Sequence, residues 1–526
     1  MGGISDRFLL GGGWKVAMLS YGLFRKRVLC RLSPMILNKP VCAALVFGCS
    51  LLANDCLPCH TAITEAFAKT GMGRSITARP AILPGQFYHR LSDRHYTIAE
   101  GKMRRHQSGP GGAEINAIEK TIDFAIGSGN HAVTYASRTR SGLLLELPVS
   151  WYSQEKAYFM SPGYDRPDHF DMRREVTDAC LFCHSDSAQP AAITCRRCHG
   201  EAAAHLAKPG RGNIYNPKQS SEVCFQCHLE TESMGIVDSM RKPGRDVFSF
   251  KPGEPLADYK LYFDRADSPA ARFEVNHTAY RLMQSACYQK SAGKLACVTC
   301  HDPHSARARE ACGSCHQSEH TRAKATGCAD CHMPKRKAQD AIHITMTDHW
   351  IQRVPKFVEP AREKHEPYAG PLIPFYTKAD PLLLAIANVR VPDAASVRLY
   401  EQYLERAPND VPTLIALGNA LIRLDRDRDA EARLRRALEL APREAGARLA
   451  LAVSIGKQGN VAGALQEMKA AVAMAPDDSY AWLNLGLTHR GLQQFTEATA
   501  AFGEAIRLQP DLAPARRALA ELPAGK

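Results

Sequence analysis

From about residue 377 onward, large apolar residues recur at helical spacing with small residues and arginines between them. Pro408, Pro442, Pro476 and Pro510 punctuate this run every 34 residues. On that frame one unit carries Leu414, Leu417, Gly418, Leu421, Ala430, Leu434, Ala437 and Pro442. The next carries Leu451, Ala452, Ile455, Ala464, Met468, Ala471 and Pro476, and a third Trp482, Leu485, Gly486, Ala498, Phe502, Ala505 and Pro510. Each unit predicts two helices, with small residues where they cross and large ones filling between. A degenerate unit with Tyr400, Tyr403 and Pro408 precedes, and a helix over 512–522 caps the stack. His489 falls on a core position of this pattern and reads as packing.

Upstream the pattern is different. Residues 54–352 hold few long periodic segments and many Gly and Pro. Residues 87–98, 132–137 and 143–152 read as short strands, the last two joined by a turn over Arg138-Thr139-Arg140-Ser141-Gly142. Pro355, Pro360, Pro367, Pro371 and Pro374, with charges between them, make 353–376 a linker. Near the N-terminus Lys39 precedes a short apolar run, 41–53, whose length fits an export signal and is short for a membrane span. Residues 1–34 make that leader too long, and Met35 is the more ordinary start. Phe47 makes the segment ending at Cys49 a poor lipoprotein signal.

A 34-residue helix-pair period is that of the tetratricopeptide repeat, and three full units suffice for a continuous core. The expectation is therefore a mainly α protein. Residues 1–53 are a leader, 54–352 a domain of short helices, loops and a few short strands, 353–376 the linker, and 377–526 an all-α solenoid folding on its own.

Composition then narrows the chemistry of residues 54–352. The chain has 18 cysteines in 526 residues, and fourteen of them form seven copies of Cys-x-x-Cys-His. These are Cys56/Cys59/His60, Cys180/Cys183/His184, Cys195/Cys198/His199, Cys224/Cys227/His228, Cys297/Cys300/His301, Cys312/Cys315/His316 and Cys328/Cys331/His332. The spacing is that of c-type haem attachment: two thiols add across the two vinyl groups of one haem, and the adjacent His lies under the iron. A single copy also fits a zinc or redox thiol pair; seven, each followed by His, point to seven covalent haems. Cys30, Cys42, Cys49 and Cys287 remain, so the cysteines are no disulfide framework. Cys287 reads as a small buried residue, with a sulfur ligand or redox role as the alternative.

The formal charge of +13 does not imply nucleic acid. The leader holds seven basic residues against Asp6. Seven bis-His ferric haems at roughly −1 each offset the rest, because each ring carries two propionates. Export to the periplasm or cell surface of a bacterium suits the chemistry, since haem is attached outside the cytoplasm.

Each iron held by one His needs a sixth ligand or leaves a substrate site. Thirteen of the 20 His lie outside the motifs. His205 and His304 sit six and three residues beyond His199 and His301, too close to reach round the same iron. Each would serve a neighbouring haem. Motifs only 15 or 16 residues apart, at Cys180/Cys195 and Cys312/Cys328, force their haems nearly into contact, as electron tunnelling requires.

Seven further segments carry a resemblance. They are Thr70-Gly71-Met72-Gly73-Arg74-Ser75, Gly127-Ser128-Gly129-Asn130-His131, Pro148-Val149-Ser150-Trp151-Tyr152, Ser161-Pro162-Gly163-Tyr164-Asp165, Cys300-His301-Asp302-Pro303-His304, Cys331-His332-Met333-Pro334 and Thr347-Asp348-His349-Trp350. Their order over 54–526 resembles the multihaem cytochromes related to cytochrome c554, above all those fused to tetratricopeptide repeats. The resemblance implies an exported electron carrier with axial ligands at His89, His106, His131, His205, His304, His343 and His349. His277 is a rival, and His95, His169, His320 and His365 are expected to be surface or structural. Two functions follow as expectations. One is an electron relay whose repeats dock a redox partner in their concave face, with association to membrane redox complexes. The other is a multihaem oxidoreductase of nitrogen or sulfur compounds with one five-coordinate haem, against which every motif ends in His and none in Lys. The intact mass of the exported protein is predicted to exceed the processed polypeptide by seven haems; a shortfall of one would show a motif that is not a substrate for attachment.

Overall fold

The computed structural model describes residues 55–233, 236–267, 272–305, 307–316, 327–354 and 368–523. The leader, Met35, His320 and His365 lie outside them. Seventeen strands are present among the described residues. Ten come first: β1 (Ile76–Ala78), β2 (Gly85–His89), β3 (Arg94–Ala99), β4 (Lys102–Ser108), β5 (Glu114–Thr121), β6 (Phe124–Ile126), β7 (Ala132–Arg138), β8 (Leu144–Glu146), β9 (Val149–Tyr152) and β10 (Ala157–Met160). They build a four-stranded antiparallel sheet, β2-β3-β4-β5, and a six-stranded sheet, β1-β6-β7-β9-β10 with β8 on β7. Tyr96, Ile98 and Met103 of the first sheet share one core with Tyr135, Val149 and Tyr158 of the second.

This corrects the expectation of a few short strands: the N-terminal region has substantial sheet content. The segment 87–98 is not one strand but most of a hairpin, β2 against β3, turned through Asp93 at φ 50°. Strands β4 and β5 were hidden because most of their residues are polar or charged, even where β4 buries Met103 and Arg105. β5 alternates exposed and half-buried residues from Glu114 to Thr121, and most of them are polar. The expected turn is present between β7 and β8, where Thr139 N–H donates to Leu143 O at 2.8 Å and Gly142 takes φ 90°.

Short helices carry the middle of the chain: α1 (Thr61–Ala68), α2 (Asp178–His184), α3 (Arg196–His199), α4 (Ala203–Ala207), α5 (Glu222–His228), α6 (Thr278–Met283), α7 (Ala286–Lys290), α8 (Cys297–Cys300) and α9 (Cys328–His332). Between them lie β11 (Ser239–Arg241), β12 (Lys260–Arg265), β13 (His301–Asp302) and β14 (Arg307–Ala308), and after them β15 (Lys335–Lys337), β16 (Thr345–Thr347) and β17 (Leu372–Phe375).

The C-terminal region is an all-helical repeat: α10 (Pro381–Ala387), α11 (Ala394–Arg406), α12 (Val411–Arg423), α13 (Asp427–Leu440), α14 (Ala445–Lys457), α15 (Val461–Met474), α16 (Ser479–Gly491), α17 (Phe495–Leu508) and α18 (Ala513–Ala520). Asp410 and Asp478, two periods apart, cap α12 and α16 by accepting from backbone N–H groups of the first turn. A Cβ on Gly418 would stand 2.7 Å from Leu434, and one on Gly486 2.5 Å from Phe502, so glycine sets the closest helix crossings. His489 is buried, its Nδ1 2.7 Å from Gln494 Oε1.

The solenoid is tied to the rest of the chain at both ends. At its start, β17, drawn from the segment read as linker, pairs antiparallel with β12, Tyr262 opposite Phe375. Pro374 is tolerated because β17 is an edge strand of the three-stranded sheet β11-β12-β17. Met240, Leu261, Phe263 and Leu372 of that sheet join one hydrophobic cluster with Leu383, Leu414 and Leu451. At its far end Asp511 accepts from Arg94 at 2.6 Å and from the fully buried Arg105 at 2.9 Å. Arg105 also pairs with Asp171. Arg140 grips Asp477 through its backbone N–H and its Nε, and Arg173 lies over Tyr480.

Two stability outcomes follow. Asp511→Asn removes the charge that two arginines converge on and is expected to cost about 2 kcal/mol in a urea titration. Gly486→Ala forces Phe502 aside and is expected to cost about 1–3 kcal/mol.

Candidate functional site

Each Cys-x-x-Cys-His is one turn of helix or close to it. The His amide donates to the carbonyl of the first Cys at 2.8 Å for His60, 2.9 Å for His199 and 2.9 Å for His316, and His301 makes the same bond to Cys297. His184, His228 and His332 end helices α2, α5 and α9. A helical turn puts residues i, i+3 and i+4 on one side, so two thiols and an imidazole are offered together. They are offered outward: Cys59, Cys180, Cys315 and Cys331 are exposed. His60, His228, His301 and His316 are exposed as well.

The chain then brings imidazoles together in pairs. The rings of His60 and His205 have centroids 6.2 Å apart and planes 21° from parallel. His199 and His304 are 6.0 Å apart at 9°, and His301 and His349 6.1 Å apart at 27°. In each of these three pairs one member ends a Cys-x-x-Cys-His motif and the other lies outside the motifs. His205 stands opposite His60, not His199, and His304 opposite His199, not His301. In every pair, too, one ring is oriented by its Nδ1: His205 on Gly210 O at 3.1 Å, His199 on Tyr215 O at 3.1 Å and His349 on Thr347 O at 3.0 Å. With Nδ1 donating to a carbonyl, the tautomer leaves a lone pair on Nε2. His332 is oriented in the same way by Gln352 O at 2.7 Å. Burial keeps His184, His304 and His349 below the usual imidazole range, in the neutral form that binds metals.

The pairs allow a test of the expected haem. A metal–imidazole bond of about 2.0–2.1 Å on each side, with the half-width of each ring added, separates two axial rings by about 6 Å. The three pairs have that separation. Among the described residues no three His, Cys, Asp or Glu side chains converge on a single ion position. Two protein donors suffice for an iron held in a ring. The residues present therefore fit haem. Thiols of different motifs also lie near one another: Cys56 with Cys195, Cys183 with Cys227, Cys224 with Cys297 and Cys312 with Cys328. First and third, second and fourth, fourth and fifth, and sixth and seventh motifs are thus neighbours.

The other expected ligands stand differently. His89 is buried with both nitrogens engaged, Nδ1 2.7 Å from Ser92 Oγ and Nε2 3.0 Å from Asp165 Oδ1. His106 lies across from His95 on β4, rings 5.0 Å apart, with its Nδ1 buried and unbonded. His131 also has a buried, unbonded Nδ1. His343 covers Phe159 beside a cavity of about 80 Å³. His277 is fully buried, Nε2 3.0 Å from Thr231 O, and burial pushes it down to about 3. His169 is structural: Arg94 contacts its Nε2 and the Asp171 N–H donates to its Nδ1. Sequence reasoning missed the buried ion pairs behind these rings, foremost Arg281 with Asp348. The one signal was an arginine inside the otherwise apolar helix α6.

Residues 415–479 and 454–513 match the tetratricopeptide repeat family model. No curated protein matches the chain. Among solved structures, the chain is similar to MamA from Desulfovibrio magneticus RS-1 at 26% identity, over 24% of this chain and 71% of that one, with a TM-score of 0.23. It is similar to YrrB, a TPR protein with an unusual peptide-binding site, at 25% identity over 23% of this chain and 63% of that one, also at 0.23.

Proposed function

We propose that this chain is an exported multihaem c-type cytochrome that relays electrons through seven covalent haems, with its tetratricopeptide stack docking a redox partner. The observation that carries the reading is the set of three imidazole pairs, each joining a motif His to a distant His at the spacing of two axial ligands. Seven Cys-x-x-Cys-His motifs supply the thiols for attachment. Bound haem supplies a one-electron ferric/ferrous centre.

The chain's own residues do the rest. Cysteine pairs fix each ring by two covalent bonds, so neither its face nor its edge can turn. His60 with His205, His199 with His304 and His301 with His349 would hold three of the irons. Carbonyls of Gly210, Tyr215 and Thr347 set ring orientation. Rigid ligation on both sides keeps the coordination alike in both oxidation states, which favours transfer over substrate chemistry. His106, His131 and His343 are proposed for further irons from the family resemblance. His89 would first have to give up Asp165 or Ser92. Adjacent motifs, with thiols near one another, make the short steps a relay needs. Repeats of the tetratricopeptide kind serve protein–protein contact, and a protein partner for the stack follows from that.

Electron paramagnetic resonance of the oxidised holoprotein tests the reading. His205→Ala, His304→Ala and His349→Ala are each expected to turn one haem high-spin while mass still shows seven attached. An open haem in the unmodified protein would favour the oxidoreductase, and three variants without new high-spin signal would overturn the ligand assignment.

A further inference from the structure

The segment 347–352 holds two imidazoles that belong to different attachment sites. His349 faces His301 of the fifth motif. His332 closes the seventh motif, and its Nδ1 donates to Gln352 O at 2.7 Å while Gln352 N–H donates back to His332 O at 3.1 Å. Immediately before His349 in the chain stands Asp348, 1% exposed. Arg281, equally buried, grips it with both arms of its guanidinium, Nε to Oδ1 at 2.9 Å and Nη2 to Oδ2 at 2.7 Å. Arg336 of β15 adds a third bond at 2.9 Å.

The grip extends to the backbone. Asp348 Oδ1 accepts from Trp350 N–H at 2.9 Å, and Asp348 N–H donates to Pro334 O at 2.9 Å. Ser285, fully buried, donates to His349 O at 3.1 Å and accepts from Ile351 N–H at 2.8 Å. The Arg281 guanidinium also covers the Trp350 ring at 4.6 Å. Residues 348–351 are thus fixed one by one from helix α6 and the start of α7. A bidentate arginine–carboxylate pair defines direction as well as distance, which a lone point charge does not. Both carboxylate oxygens of Asp348 are taken up by these bonds.

We propose that Asp348, clamped by Arg281 and Arg336, is a positioning residue for two axial imidazoles at once, His349 on the fifth haem and His332 on the seventh. The inference rests on the haem reading above. It makes those two centres respond together to a change at a residue that touches neither ring plane, and it links α6 mechanically to both.

The test uses full-length exported holoprotein. Arg336→Gln removes one of the three bonds and leaves the Arg281 pair intact. The double change Arg281→Gln with Asp348→Asn replaces the ion pair by a neutral hydrogen-bonded pair of similar shape. Haem mass and low-spin resonance signals are read for both, with His349→Ala as the reference that identifies the signal of the fifth haem. The expected result is seven haems retained and two low-spin signals shifted, one of them the signal lost in His349→Ala, in either variant that is exported folded. Unchanged signals in Arg336→Gln, or a shift at the fifth haem alone, overturns the shared positioning role. If His349→Ala itself loses no low-spin signal, the ligand assignment fails, and that failure is distinct from failure of the clamp.

Discussion

One backbone hydrogen bond, from the amide of a histidine to the carbonyl of the cysteine four residues before it, shapes every described attachment motif that is not already inside a longer helix. Without that turn two thiols and an imidazole would point to different sides. With it they form a three-point grip that needs no help from surrounding strands. This is why helices as short as α3 and α8, four residues each, stand in the middle of the chain. Isolated helices of that length do not persist in water. Here neighbouring turns, carbonyl contacts and aromatic packing around Phe182, Phe225 and Tyr262 hold them.

What could be read from the sequence follows from which residues have periodic partners. The solenoid was legible because its packing repeats: Gly418 under Leu434 and Gly486 under Phe502 are the same contact two periods apart. The thiol pairs were legible because their spacing is local. The sheets were not, because β4 and β5 are mostly polar and carry charge on both faces, so no alternation marks them. Nor was the segment from Leu372 to Phe375 legible as a strand, since its proline is harmless only on an edge, and an edge is a property of the assembled sheet. The pairing of His205 with His60 depends on 144 residues of intervening chain coming back on themselves, and only the structure supplies that return.

Charge explains how the two halves meet. The loops that join one repeat to the next present Asp477 and Asp511, and the N-terminal sheets present Arg94, Arg105 and Arg140 to them. The pairs of Asp511 with Arg94 and Arg105, largely out of water, add little net stability over an apolar contact but are costly to break on one side only. They therefore fix where the stack sits. The apolar contact through Phe263 and Leu372 supplies adhesion at the other end.

A stack held at both ends cannot behave as a tethered arm. Its start continues the β11-β12-β17 sheet, and α6 packs over the other side of that same strand, Tyr280 donating to Asp264 at 2.8 Å. Asp264 in turn takes Arg272 at 2.6 Å, and Arg272 O accepts from Arg281. An unbroken set of buried contacts thus runs from the first helices of the repeats, through β12 and α6, to Asp348 and the ring of His349. Any partner that bends the solenoid at its base acts on the strand that supports that chain. The first helices of the repeats and His349 thus belong to one set of packed contacts.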